Sequence, residues 1–195
     1  SDNPISDVSM YTTGREPSDT KGLTELAEAV NGHVSLLAIT LDGGKLPVDE
    51  VKGERLGEVV KGEKKVRFLD LSKKTLGFVS AIFMGTMLNG NENTNELMLH
   101  SNELKPVGVT FIVKRLLPSL KTLDISNTIT NQQKEAKGDK KADRKTVVGA
   151  AVTVPPEQVE NLWAAVTTLG SLEKLTMDRD HLKEIKDLGK MLSLK

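Results

Sequence analysis

Cysteine is absent from the 195 residues. That excludes disulfides and cysteine-ligated zinc, and it fits a reducing compartment. Aromatic residues make up only 3% of the chain, so its core must be aliphatic. Net charge is lacking as well, with 27 basic residues balancing 27 acidic ones. A neutral chain has no global pull toward nucleic acid or anionic membrane. No apolar run approaches the roughly 18 residues of a membrane span. The opening SDNPISDVSM has neither the basic start nor the apolar segment of a signal peptide. No Asn-x-Ser/Thr glycosylation site occurs. The lack of cysteine is the feature of composition that points to an intracellular, cytoplasmic location.

What the chain does have is a repeated pattern. Residues 94–104 place Thr94, Leu97, Leu99 and Leu104 at positions 1, 4, 6 and 11 of an eleven-residue window, with Asn102 at position 9. Four further windows match it. They supply Leu36, Ile39, Leu41, Gly44 and Leu46; Val66, Leu69, Leu71, Lys74 and Leu76; Leu120, Leu123, Ile125 and Thr128; and Leu172, Leu175, Met177, Asp180 and Leu182. The windows start at 36, 66, 94, 120 and 172, so the steps are 30, 28, 26 and 52. Alternation within each window predicts a strand. Ser80, Met84 and Leu88 follow one strand, and Gly108, Ile112 and Leu116 follow the next, each set lying on one face of a helix. GLTELAEAVNG and EQVENLWAAVTTLG have the same helical character, and Pro155–Pro156 suits the start of the second.

In these residues the chain resembles the leucine-rich repeat family, L-x-x-L-x-L-x-x-N-x-L. A period near 28 with a full helix resembles its ribonuclease-inhibitor-like subclass. The resemblance implies an α/β solenoid with a parallel sheet on the concave face and helices on the convex face. It also implies that Asn102 lies inside its turn, bonding backbone groups that burial would otherwise leave unpaired. The other windows depart from the family at position 9, with Gly44, Lys74, Thr128 and Asp180. A buried unpaired lysine is disfavoured, so the turn at Lys74 must be rebuilt or the side chain must reach outward. Irregular turns are expected.

The whole of 1–195 reads as one repeat domain, as part of a longer array. Asn3 and Ile5 read as the end of an earlier motif, and a further repeat is expected to begin near Leu194. Two stretches read as loop insertions. Residues 6–22 are rich in turn formers, and residues 131–145 carry six basic and three acidic residues with almost nothing apolar. Alternatively, the 52-residue step conceals a degenerate repeat around TVVGAAVTV, residues 146–154.

On such a sheet, positions 5 and 7 face the concave side. They give Thr40, Asp70, Met98, Asp124 and Thr176, and Asp42, Ser72, His100, Ser126 and Asp178. Four aspartates and no lysine or arginine stand in these two columns, which suits a protein partner with a basic surface. Asp-x-Ser is also common in the family, so Asp70, Ser72, Asp124 and Ser126 equally suit a merely soluble strand face. Phe68 at position 3 and Met98 are the apolar candidates, read either as partner anchors or as residues covered by a neighbouring loop.

Serine, histidine and aspartate are the types used in nucleophilic catalysis. Here, however, they would stand side by side on an open sheet without an oxyanion hole. Three scattered histidines make no metal site, and no phosphate-binding glycine loop is present. The expectation is a non-catalytic scaffold with no cofactor, binding a protein partner on the concave strand face. Two alternatives stand beside it. One is a structural subunit whose helical face, at Phe78 and Phe111, packs on neighbours. The other is a GTPase-activating protein resembling the Ran regulator.

Overall fold

A computed structural model describes residues 20–52, 67–91, 94–116, 120–128 and 155–177. The described helices are α1 (Lys21–Gly32), α2 (Val48–Lys52), α3 (Phe78–Leu88), α4 (Lys105–Val113) and α5 (Pro156–Thr167). The strands are β1 (Ile39–Leu41), β2 (Gly44–Leu46), β3 (Arg67–Asp70), β4 (Thr94–Met98), β5 (Thr122–Asp124) and β6 (Lys174–Thr176). Strands β3 to β6 form one parallel sheet in chain order. Helices α3, α4 and α5 stand between successive strands in the sequence and pack against one another in that order, with α1 beside α3. The architecture is α/β.

The register follows the sequence pattern. Leu69, Leu97, Leu123 and Leu175 are direct neighbours, and so are Asp70, Met98, Asp124 and Thr176. The ladder continues past the strand ends, where the Leu71, Leu99 and Ile125 amides donate to the Met98, Asp124 and Thr176 carbonyls. Leu69, Leu71, Leu97, Leu99, Leu123 and Ile125 are all buried, against buried residues of the helices. Alternation puts the residues between them on the other face.

The helices bury the predicted faces: Ser80, Met84, Leu88, Ile112 and Leu116 are all inside. Glycines let α3 and α4 approach closely. A Cβ on Gly85 would lie 2.8 Å from the Phe111 ring, and one on Gly108 would lie 3.0 Å from Ala81. The expected apolar contacts on the helical surface are not as predicted. Phe78 is buried with Leu23 and Ile82, and the Arg115 guanidinium covers Phe111 at 3.4 Å from the ring centroid. A cation over a ring face attracts it and shields it from water.

The 36–46 window keeps its phase but not its predicted pairing. Leu46 is buried, and Ile39 and Leu41 pack on the core. Yet β1 pairs antiparallel with β2, Leu41 opposite Gly44, and neither belongs to the four-stranded sheet. Asp42 and Gly43 form the two-residue turn between them, with φ of 54° and 81°. Two positive φ values match a type I′ hairpin turn, whose backbone twist suits antiparallel strands. The Asp-Gly pair was therefore the sign of a hairpin, not of a repeat turn.

Across the 52-residue step, Leu123 pairs directly with Leu175; the degenerate repeat expected at 146–154 lies outside the described residues. The predicted insertion at 6–22 ends too late, because Lys21 and Gly22 already belong to α1. Its earlier part, the 131–145 insertion and the expected motifs at Asn3–Ile5 and Leu194 lie outside the described residues.

Candidate functional site: the open face of the sheet

The open face is built from the strand residues that alternate with the buried leucines. Phe68 and Asp70 come from β3, Glu96 and Met98 from β4, Thr122 and Asp124 from β5, and Lys174 and Thr176 from β6. Just past the strands follow Ser72, His100 and Ser126, held by the continuing ladder. Phe68 is 54% exposed, and Met98 is half-buried.

Of the predicted site residues, Phe68, Asp70, Ser72, Met98, His100, Asp124, Ser126 and Thr176 are brought together on this face. Thr40 and Asp42 are not, because they sit in the hairpin. Asp42 works elsewhere. Its Oδ2 accepts the Ser80 amide at 2.7 Å and the Ser80 hydroxyl at 2.9 Å. Ser80 is in the first turn of α3, whose N-cap is Gly77, a residue with no side chain to offer. Asp42 thus supplies from a distant segment the acceptor that a capping side chain gives, and its charge suits the positive end of the helix. Gly77 makes room for it, since a Cβ there would lie 2.8 Å from the Asp42 carboxyl carbon. Asp178 lies outside the described residues.

The remaining aspartates have local duties. Asp70 Oδ1 accepts the Ser72 amide at 2.9 Å. Asp124 Oδ1 accepts the Ser126 amide at 3.0 Å and its hydroxyl at 2.7 Å. Each carboxylate ties down the backbone two residues on, where the strand ends, as Asp commonly does at turns. The Ser72 amide holds the Asp70 carboxyl below its ordinary range, against a smaller opposing effect of burial, and the Ser72 side chain, His100 and Lys74 add to the lowering. Just before β5 and β6 begin, Lys121 Nζ bonds Glu173 Oε1 at 2.8 Å, which raises the Lys121 pKa.

His100 Nδ1 lies 3.2 Å from the Ser101 hydroxyl, so its partner is its own chain neighbour. Asp124 and Ser126 bond each other. Among the described residues, no group of three or more His, Cys, Asp or Glu side chains is placed to hold a metal ion, and no helix is long and apolar enough to cross a membrane.

Asn102 supports the face from below. It is buried, and its Oδ1 accepts the Lys74 and Leu76 amides at 3.1 Å each. Its Nδ2 donates to the Leu71 and Leu99 carbonyls at 2.8 Å each. One side chain thus satisfies four backbone groups in two successive turns, filling its own capacity. Thr128 does less, donating only to the Ile125 carbonyl. Lys74 stays half-buried and lines a recess of about 350 Å³ with Lys45, Asp49 and Glu50. A lysine is tolerated at this position because the preceding segment is the hairpin, whose two strands pair with each other. The expected irregularity is not seen at position 8, where Lys73, Ser101 and Asn127 share one left-handed conformation with φ between 52° and 58°.

No family model matches this chain, and no curated protein matches it.

Proposed function

We propose that the chain is a leucine-rich repeat solenoid of the ribonuclease-inhibitor-like kind, acting as a non-catalytic scaffold that binds a protein partner on the concave sheet face. The observation that carries this reading is Phe68. A phenylalanine left 54% exposed in a chain with so few aromatics, beside a half-buried Met98 and between carboxylates, has the character of an interface anchor. The four-residue rows across β3–β6 support the solenoid part, because each strand–helix unit repeats its neighbour's register. His100, engaged with Ser101 rather than with Ser72 or Ser126, supports the absence of chemistry.

A second reading, a structural subunit, draws on a different patch. Leu26, Val34 and Leu37 are exposed at 42%, 84% and 58%. They lie on α1 and on the segment after it, and they are not the predicted contacts Phe78 and Phe111. Cross-linking mass spectrometry in a lysate of the source cells, followed by affinity measurement with the identified partner, separates the two. Phe68→Lys with Met98→Lys is expected to weaken binding at least about thirtyfold, while Val34→Lys with Leu37→Lys leaves it unchanged. The reverse pattern overturns the concave reading.

A further inference from the structure

Met98 stands at the centre of a cross. Asp70 and Asp124 flank it in register on the neighbouring strands. Glu96 and His100 lie two residues away along its own chain, and Phe68 sits diagonally, opposite Glu96. Among the described residues of these rows, the only other charged side chain is Lys174, exposed on β6, which bounds the acidic stretch, while Lys74, in the turn after β3, lies near enough to act on the Asp70 carboxyl. Read across the strands, the central row is acid, apolar, acid.

The spacing of that row selects a shape of partner. Adjacent strands lie about 4.8 Å apart, so the two aspartates are about 9.6 Å apart with Met98 midway. An α-helix rises about 1.5 Å per residue. Residues i and i+7 on one helix face are therefore about 10.5 Å apart, with i+3 and i+4 between them. An extended segment places same-face side chains about 6.8 and 13.6 Å apart, which straddles the target and meets neither distance.

Resting on the scaffold reading above, we infer that the face over β3, β4 and β5 seats an amphipathic helix lying across the strands, with Lys or Arg at i and i+7 and an apolar residue at i+3 or i+4. The cations meet Asp70 and Asp124, and the apolar residue meets Met98 with Phe68 alongside. Within the described residues, the hydrogen bonds of both aspartates fall on Oδ1. Each carboxylate thus keeps Oδ2 for a partner cation without releasing its turn. The acidic surround supplies charge complementarity, and the cation stems add apolar contact.

The test uses the full chain and a stapled, alanine-based helical peptide with Lys at i and i+7 and Leu at i+3 and i+4, read by fluorescence anisotropy. Saturable binding is expected, and it should weaken as salt rises. Asp70→Asn with Asp124→Asn should weaken it about tenfold, while the thermal midpoint stays near its original value because the amide oxygen still accepts the turn bonds. A peptide of identical composition with the second Lys moved to i+5 should bind at least about tenfold more weakly. Absence of saturable binding, equal binding by the rearranged peptide, or indifference to the Asn variants overturns the inference. If the peptide fails while Phe68→Lys with Met98→Lys still weakens binding of the cross-linked partner, the scaffold reading stands and only the helical partner falls.

Discussion

The turn at Asn102 and the hairpin at Asp42 solve the same problem by opposite means. Both must satisfy backbone groups at the end of a short strand beside the core. At Asn102, the polar groups of two successive turns converge on one buried amide side chain. At the hairpin, β1 and β2 satisfy each other, and the buried position is left to Gly44, pressed against the turn after β3. A Cβ on Gly44 would lie 2.3 Å from the Lys74 carbonyl oxygen and 2.6 Å from that of Thr75. The first solution needs a side chain with two donors and two acceptors. The second needs no side chain at all. A repeated sequence pattern therefore fixes where backbone must be paired, but not what pairs it.

The comparison can be broken most severely at Asn102. Asn102→Ala strips partners from two amides and two carbonyls in a buried turn, and is expected to destabilise the protein by about 3–5 kcal/mol. Urea unfolding measures it, and a loss below about 1 kcal/mol means that water replaces the side chain freely. Gly44→Ala comes next, at about 2–3 kcal/mol, because backbone rather than a flexible side chain must yield. Asp42→Ala should cost about 1 kcal/mol through loss of the acceptor at the start of α3. Adding Gly77→Ser should restore part of that loss only when Asp42 is absent, since the two side chains compete for one space.

The smallest effect is a pH dependence. Asp70 has a lowered folded pKa, so its contribution is present above the unfolded carboxylate value of about 3.9 and fades as pH falls through the folded value. Asp70→Asn should flatten the acid limb of the stability curve below about pH 4. An unchanged acid limb argues that the Ser72 amide bond carries no protonation linkage.

Much of this fold was legible because burial imposes a strict period. Leu69, Leu97, Leu123 and Leu175 could be aligned from spacing alone, since a slip of one residue would turn each leucine outward. Asn102 was legible because few side chains can satisfy four backbone groups. The first window misled for a physical reason. A parallel strand and a hairpin strand share the same two-residue alternation, so Ile39 and Leu41 read alike in both. Only Asp42-Gly43, whose positive φ values suit a type I′ turn, distinguished them. The capping role of Asp42 was not legible at all, because it joins residues 38 apart through an approach that only the folded chain reveals. On the open face, the positions of Asp70, Met98 and Asp124 were readable. Their use of one carboxylate oxygen for the turn was not, because spacing cannot say which way a side chain bends.

The direct pairing of Leu123 with Leu175 has a practical consequence. Fifty-two residues of sequence separate these neighbours, against 26 between Leu97 and Leu123, yet the ladder passes from one to the other without a gap. Closing a loop twice as long costs only about 0.6 kcal/mol more, so adjacency in the sheet is set by matching edges rather than by the length of the tether. Sequence added between Leu123 and Leu175 is thus expected to leave the rows on either side aligned.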